Sequence, residues 1–151
     1  MTPLTLPLND LTATEALGSR VARALRRGDA VLLAGDLGAG KSALARATLR
    51  ALLGDKALPV PSPTFTLVQT YDSPIGPVSH FDLWRLDGPG SEVVRAVLEL
   101  GWDEAREGVV LVEWPDRLGA LTPEDALHVT LAHAGGDARV ATLSGWDGRA
   151  L

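Results

Sequence analysis

An unbroken apolar run, Ala30–Ala34, leads into Gly35-Asp36-Leu37-Gly38-Ala39-Gly40-Lys41-Ser42 and then into an Ala-, Leu- and Arg-rich stretch, Lys41–Leu53. No other feature restricts the fold as tightly. A strand without polar alternation is one buried on both faces, the habit of parallel sheets. Parallel neighbours need a crossover, usually a helix. The octapeptide between strand and helix fits G-x-x-x-x-G-K-[ST], a phosphate-binding loop. Its glycines allow positive φ angles, so that successive N–H groups can turn toward one anion. The following helix adds its unpaired amides and the positive end of its dipole. In such a loop Gly35, Asp36, Leu37, Gly38, Ala39, Gly40, Lys41 and Ser42 are the expected nucleotide-binding residues. Lys41 would reach the β- and γ-phosphates, and Ser42 would offer its hydroxyl to Mg²⁺.

The rest of the chain reads as alternating elements. Thr12-Ala13-Thr14-Glu15 has the form of a capping box. Leu17, Val21, Ala24 and Leu25 then recur at helical spacing up to Gly28. Pro59, Pro61 and Pro63 force an extended segment. Thr64–Tyr71 and Val78–Asp82 are expected as strands joined across residues 73–77. Ser91–Leu100 is helical in pattern, Val109–Glu113 is a second doubly buried strand, and Leu127–Ala132 and Val140–Leu143 are late strands. The expected fold is a single α/β domain over residues 1–151. It is a P-loop NTPase architecture with a mainly parallel central sheet, added antiparallel strands and flanking helices. Residues 145–151 are expected as a loose tail.

Metal chemistry on a phosphate loop needs an acid nearby. Two apolar strands end in one: Val109-Val110-Leu111-Val112-Glu113 and His80-Phe81-Asp82. Both are candidates for the acid that holds the metal's water shell. Either Asp82 or Glu113 could position an attacking water. Ser62-Pro63-Thr64-Phe65-Thr66 places a hydroxyl in a proline-stiffened loop where a γ-phosphate sensor would sit. Trp114 follows Glu113 and could line the site. His80, His128 and His133 match no zinc spacing and read as packed or surface imidazoles.

Composition narrows the partners. The 151 residues carry 14 Lys and Arg against 19 Asp and Glu, a net charge of −5. A chain that gripped RNA by its own charge would be basic. Cysteine is absent, which excludes disulfides, thiol nucleophiles and cysteine zinc sites. No apolar run approaches the 18 or so residues of a spanning helix, and the start of the chain lacks the pattern of a signal peptide. A cytoplasmic protein with no membrane partner is expected. Asn9 is the only asparagine, and neither Lys41 nor Lys56 lies in an Asn/Thr-Lys-x-Asp guanine-reading motif. ATP is therefore the expected nucleotide.

Four segments occur in one order: G-D-L-G-A-G-K-S (35–42), S-P-T-F-T-L (62–67), H-F-D-L-W-R-L (80–86) and V-E-W-P (112–115). Together they resemble the bacterial TsaE (YjeE) family, the ATPase component of tRNA threonylcarbamoyladenosine synthesis. The resemblance implies ATP and Mg²⁺ binding, weak ATPase activity alone, and a complex with TsaD and TsaB through which tRNA is met. It maps the metal ligands onto Ser42 and Glu113, the family's characteristic acid onto Asp82 and a switch-like threonine onto Thr64. It also puts Thr14 near the nucleotide base and Arg139 near the nucleotide. Ser42 stands where Thr is usual; either residue supplies the hydroxyl. Two other readings remain open on sequence: a small-molecule kinase, and a nucleotide-dependent interaction module without hydrolysis.

Overall fold

In the computed structural model, which describes residues 3–61, 63, 66–147, 149 and 151, all of Ala30-Val31-Leu32-Leu33 is buried. This segment belongs to the central strand β2 (Ala30–Gly35) of a seven-stranded sheet. The other strands are β1 (Leu4–Leu8), β3 (Val68–Ser73), β4 (Gly76–Asp82), β5 (Val109–Glu113), β6 (Leu127–His133) and β7 (Arg139–Ser144), in the spatial order β1-β7-β6-β2-β5-β4-β3. β4, β5, β2 and β6 are mutually parallel; β3 adds antiparallel to one side, β7 and β1 to the other. This is the α/β arrangement expected from the sequence, with a parallel middle and antiparallel flanks.

The strand period of two divides each apolar run between two cores. Val31 and Leu33 of β2, with Val109 and Leu111 of β5, face α1 (Leu11–Ala24) and α2 (Lys41–Leu53). Ala30, Leu32, Val110 and Val112 face the opposite layer, with Phe81 and Trp102. That layer holds α3 (Gly90–Glu99), the short α4 (Trp102–Ala105) and a 3-10 stretch, Pro115–Leu121. Phe81 and Trp102 meet edge to face with centroids 5.3 Å apart.

Several boundaries differ from the sequence reading. α1 is capped by Asp10, whose carboxylate accepts from the Ala13 amide at 2.9 Å, and not by Thr12. A carboxylate there satisfies an orphan amide and also meets the positive end of the helix. α1 ends at Ala24, short of Gly28. β3 begins at Val68, because Leu67 takes a φ of 67° and turns its amide back to the Pro63 carbonyl. β1 was not expected, since Pro7 argues against a strand; it is tolerated because β1 stands at the edge of the sheet.

Within residues 145–151, expected as a loose tail, Trp146 and Arg149 are held in place. Trp146 is 3% exposed and joins the core on the α1–α2 side. Arg149 stacks over its ring at 4.3 Å and grips Asp29 through two hydrogen bonds of 2.5 and 2.8 Å. The apolar area of one indole outweighs the Gly-rich composition around it.

α1 and α2 approach at Gly18. A Cβ there would lie 2.6 Å from the Ala47 Cβ and 2.9 Å from the Thr48 nitrogen. Helix propensity alone makes Gly18→Ala stabilising by about 1 kcal/mol, but forced overpacking costs about 1–3 kcal/mol. The expected result is a net loss of stability in urea denaturation. A stabilised variant would show that the helices part freely.

Candidate functional site

Parallel pairing brings three strand ends together. Leu33 of β2 is level with Glu113 of β5, and Glu113 is level with Asp82 of β4. The carboxyl ends of strands are where open α/β sheets gather ligand groups. The glycine loop springs from the same edge. Gly35 admits no side chain, since a Cβ would lie 2.4 Å from the Leu131 carbonyl oxygen. Gly38 and Gly40 take φ angles of 79° and 105°, the left-handed turn that lets the loop fold back onto the start of α2. No side chain caps the first turn of α2.

Loop and strand ends enclose a cleft of about 480 Å³. Leu37, Gly38, Gly40, Lys41, Ser42, Asp82, Glu113, Trp114 and Arg139 line it. Gly35, Asp36 and Ala39 do not; Ala39 is buried in the core and its amide donates to the Asp36 carbonyl at 3.0 Å. Thr14 is buried in α1 outside the lining. Thr64, with Ser62 and Phe65, lies outside the described residues.

Lys41 is 5% exposed. Its ammonium donates to the Gly35 and Asp36 carbonyls at 2.6 and 2.8 Å and lies 4.3 Å above the Trp114 ring. Burial pushes its pKa below the ordinary lysine value, while the charges of Glu113, Asp82 and Asp36 oppose the shift. Trp114 adopts φ 59° and ψ 54°, which is costly for a residue with a Cβ. Its ring is flanked by two cations, Lys41 and Arg117, the latter at 5.8 Å, and these contacts help hold that backbone.

Glu113 is held at both oxygens. The Ser42 hydroxyl donates to Oε1 at 2.8 Å, and Nε2 of His80 lies 2.7 Å from Oε2. Glu113 and His80 are 2% and 0% exposed. Sequence reasoning took His80 as a packed imidazole and missed its partner. The signal available was the H-x-D spacing, which puts His80 and Asp82 on one face of β4. Among the described residues no group of three or more acid or histidine side chains forms a metal cage. A hydroxyl and one carboxylate, with open space beyond them, instead suit a hard cation that takes its remaining ligands from phosphate and water.

Arg139 braces the loop from β7. Its guanidinium donates to the Gly38 carbonyl at 3.2 Å and to the Gly136 and Ala138 carbonyls at 2.9 Å. Its Cγ would be 3.9 Å from a Cβ on Gly40.

A family model described as threonylcarbamoyl adenosine biosynthesis protein TsaE matches residues 8–141. The chain belongs to the TsaE family. Among TsaE relatives, the tRNA threonylcarbamoyladenosine biosynthesis protein TsaE of Rickettsia conorii is 34% identical over 90% of this chain and 75% of its own length. The protein of the same name from Synechocystis is 40% identical over 76% and 71%. That of Bacillus subtilis is 32% identical over 87% and 78%. The crystal structure of YdiB from Bacillus subtilis superposes with a TM-score of 0.74 at 27% identity, over 95% of this chain and 86% of that one. The TsaE match begins at the end of β1 and ends in β7, so every residue that lines the cleft lies within it.

Loss of one hydrogen bond costs about 1 kcal/mol, roughly a fivefold change in an opening equilibrium. Arg139→Ala should therefore speed hydrogen exchange at the Ala39 amide about fivefold while leaving the strands protected. Unchanged exchange at Ala39 would mean that the loop keeps its shape without the brace.

Proposed function

We propose that this TsaE-family chain binds ATP with Mg²⁺ in the cleft and hydrolyses it slowly, in support of the threonylcarbamoyladenosine modification of tRNA. The observation that carries the nucleotide reading is the contact of Ser42 with Glu113 beside a buried lysine. A hydroxyl from the first turn of a helix and an acid from the end of a neighbouring strand meet 2.8 Å apart at the mouth of a glycine loop. The names of the relatives carry the pathway.

In this reading the amides of Gly38–Ser42 cradle the terminal phosphates, and Lys41 supplies the compensating charge. Ser42 and Glu113 hold Mg²⁺, which, when bound, neutralises charge on the phosphate oxygens. With Oε1 turned to Ser42 and Oε2 to His80, Glu113 is committed to the metal side. Asp82, level with it one strand away, is then the acid that orients the attacking water. Arg139 keeps the loop in its receiving shape. Thr14 near the base and Thr64 near the γ-phosphate belong to the proposal on the family resemblance; contact of the nucleotide with Trp114 belongs to it on that residue's place in the cleft lining.

TsaD and TsaB are the proposed partners, and tRNA is reached through them, in keeping with a net charge of −5. No helix among the described residues is long and apolar enough to cross a membrane. The cytoplasm, where tRNA is modified, is the proposed location.

Removing one preorganised group that meets developing charge typically costs 10²–10³-fold in rate, so Lys41→Ala should lower ATP turnover by at least about 100-fold. Its circular dichroism and unfolding midpoint should stay close to those of the parent. Turnover at the parent rate would contradict the proposal.

A further inference from the structure

His80 makes a contact that stability alone does not explain. It is fully buried in β4, yet among the described residues only one of its ring nitrogens finds a partner: Nε2 meets Oε2 of Glu113 at 2.7 Å, while Nδ1 has none. A buried polar atom left unpaired costs stability. A pair of apolar side chains at positions 80 and 113 would avoid that cost, since Phe81, Leu83 and Val78 beside His80 are packed without exposed surface, whereas an apolar side chain at position 80 alone would strand Oε2 of Glu113. What an apolar side chain would lose is the grip on Glu113. With the carboxylate accepting, Nε2 carries the proton, and Nδ1 is the atom without a partner among the described residues.

We propose that His80 is a positioning residue for the Mg²⁺-nucleotide site, orienting Glu113 so that Oε1 stays turned to Ser42. The inference rests on the function proposed above. Glu113 ends a strand, and its side chain has rotatable bonds that packing alone does not fix. Two anchors on different elements do fix it: the Ser42 hydroxyl on α2 and the His80 imidazole on β4. Groups that orient a metal-binding side chain commonly change metal affinity or activity by 10–100-fold when removed. The H-x-D spacing then has two purposes. Asp82 reaches the cleft, and His80, two residues earlier on the same face, secures the acid of the next strand.

The test compares His80→Leu, which removes the donor, with His80→Gln, whose amide can reach about as far as Nε2, and His80→Asn, which falls short. ADP binding is measured by calorimetry in EDTA and across a Mg²⁺ titration, alongside thermal unfolding. His80→Leu should bind ADP in EDTA within about twofold of the parent. Its half-saturating Mg²⁺ should rise by about tenfold or more, and its unfolding midpoint should fall, because Oε2 of Glu113 stays buried without its partner. His80→Gln should restore most of the Mg²⁺ response. A folded His80→Leu with the parent's Mg²⁺ dependence overturns the proposal, as does a Mg²⁺ defect that His80→Gln does not repair. Should His80→Leu not fold, His80→Asn carries the same comparison, with the same rise expected and the parent's dependence contradicting it. A parent chain that binds no ADP under any condition fails the nucleotide reading itself, a result distinct from a parent that binds while its variants do not differ.

Discussion

The structure depends on the in-register parallel pairing of β2 with β5 and of β5 with β4. It puts Leu33, Glu113 and Asp82 on one line across three strands. From that line follow the depth of the cleft, the meeting of Ser42 with Glu113, and the reach of His80 to the same carboxylate. A shift of one residue in either pair would turn the side chains to the other face of the sheet. The shared register is enforced by burial on both sides, since Val109–Val112 and Ala30–Leu33 have no solvent face to slip onto.

Around this line the site concentrates groups that are expensive to bury. Lys41, Asp82, Glu113 and His80 are all nearly inaccessible, in a chain whose other buried residues are overwhelmingly apolar. The lysine is partly compensated by loop carbonyls and by the face of Trp114, the glutamate by a hydroxyl and an imidazole. Such a cluster leaves an imidazole nitrogen without a partner among the described residues and a tryptophan in a left-handed backbone conformation. Local costs of this kind gather where binding or catalysis needs a fixed arrangement. Under the proposed function, a nucleotide is the ligand that arrangement serves.

Much of this was legible before the fold was known, for reasons that differ by element. β2, β5 and α2 could be read because each is announced by local chemistry: a continuous apolar run, or a helix stopped by Gly54 in a left-handed conformation. The glycine loop and the two acids could be read because their chemistry demands specific residue types. β1 was hidden by Pro7, whose acceptability depends on standing at an edge. The start of α1 was misplaced because Asp10 and Thr12 are both good caps, and packing chose between them. The anchoring of the chain end depends on Trp146 meeting a core built from distant residues, and on Arg149 finding Asp29. The role of His80 needed the register of β4 against β5, a non-local fact that no motif spelled out.

The proposed function requires the amides from Gly38 to Ser42 to receive the terminal phosphates of a nucleotide. Nitrogen-15 amide spectra recorded while Mg-ATP is added to the labelled chain test it most directly. The account predicts that the largest shifts fall on Gly38, Gly40, Lys41 and Ser42, with adenosine alone leaving those four signals in place. Shifts concentrated elsewhere, or the same shifts with adenosine, would contradict it.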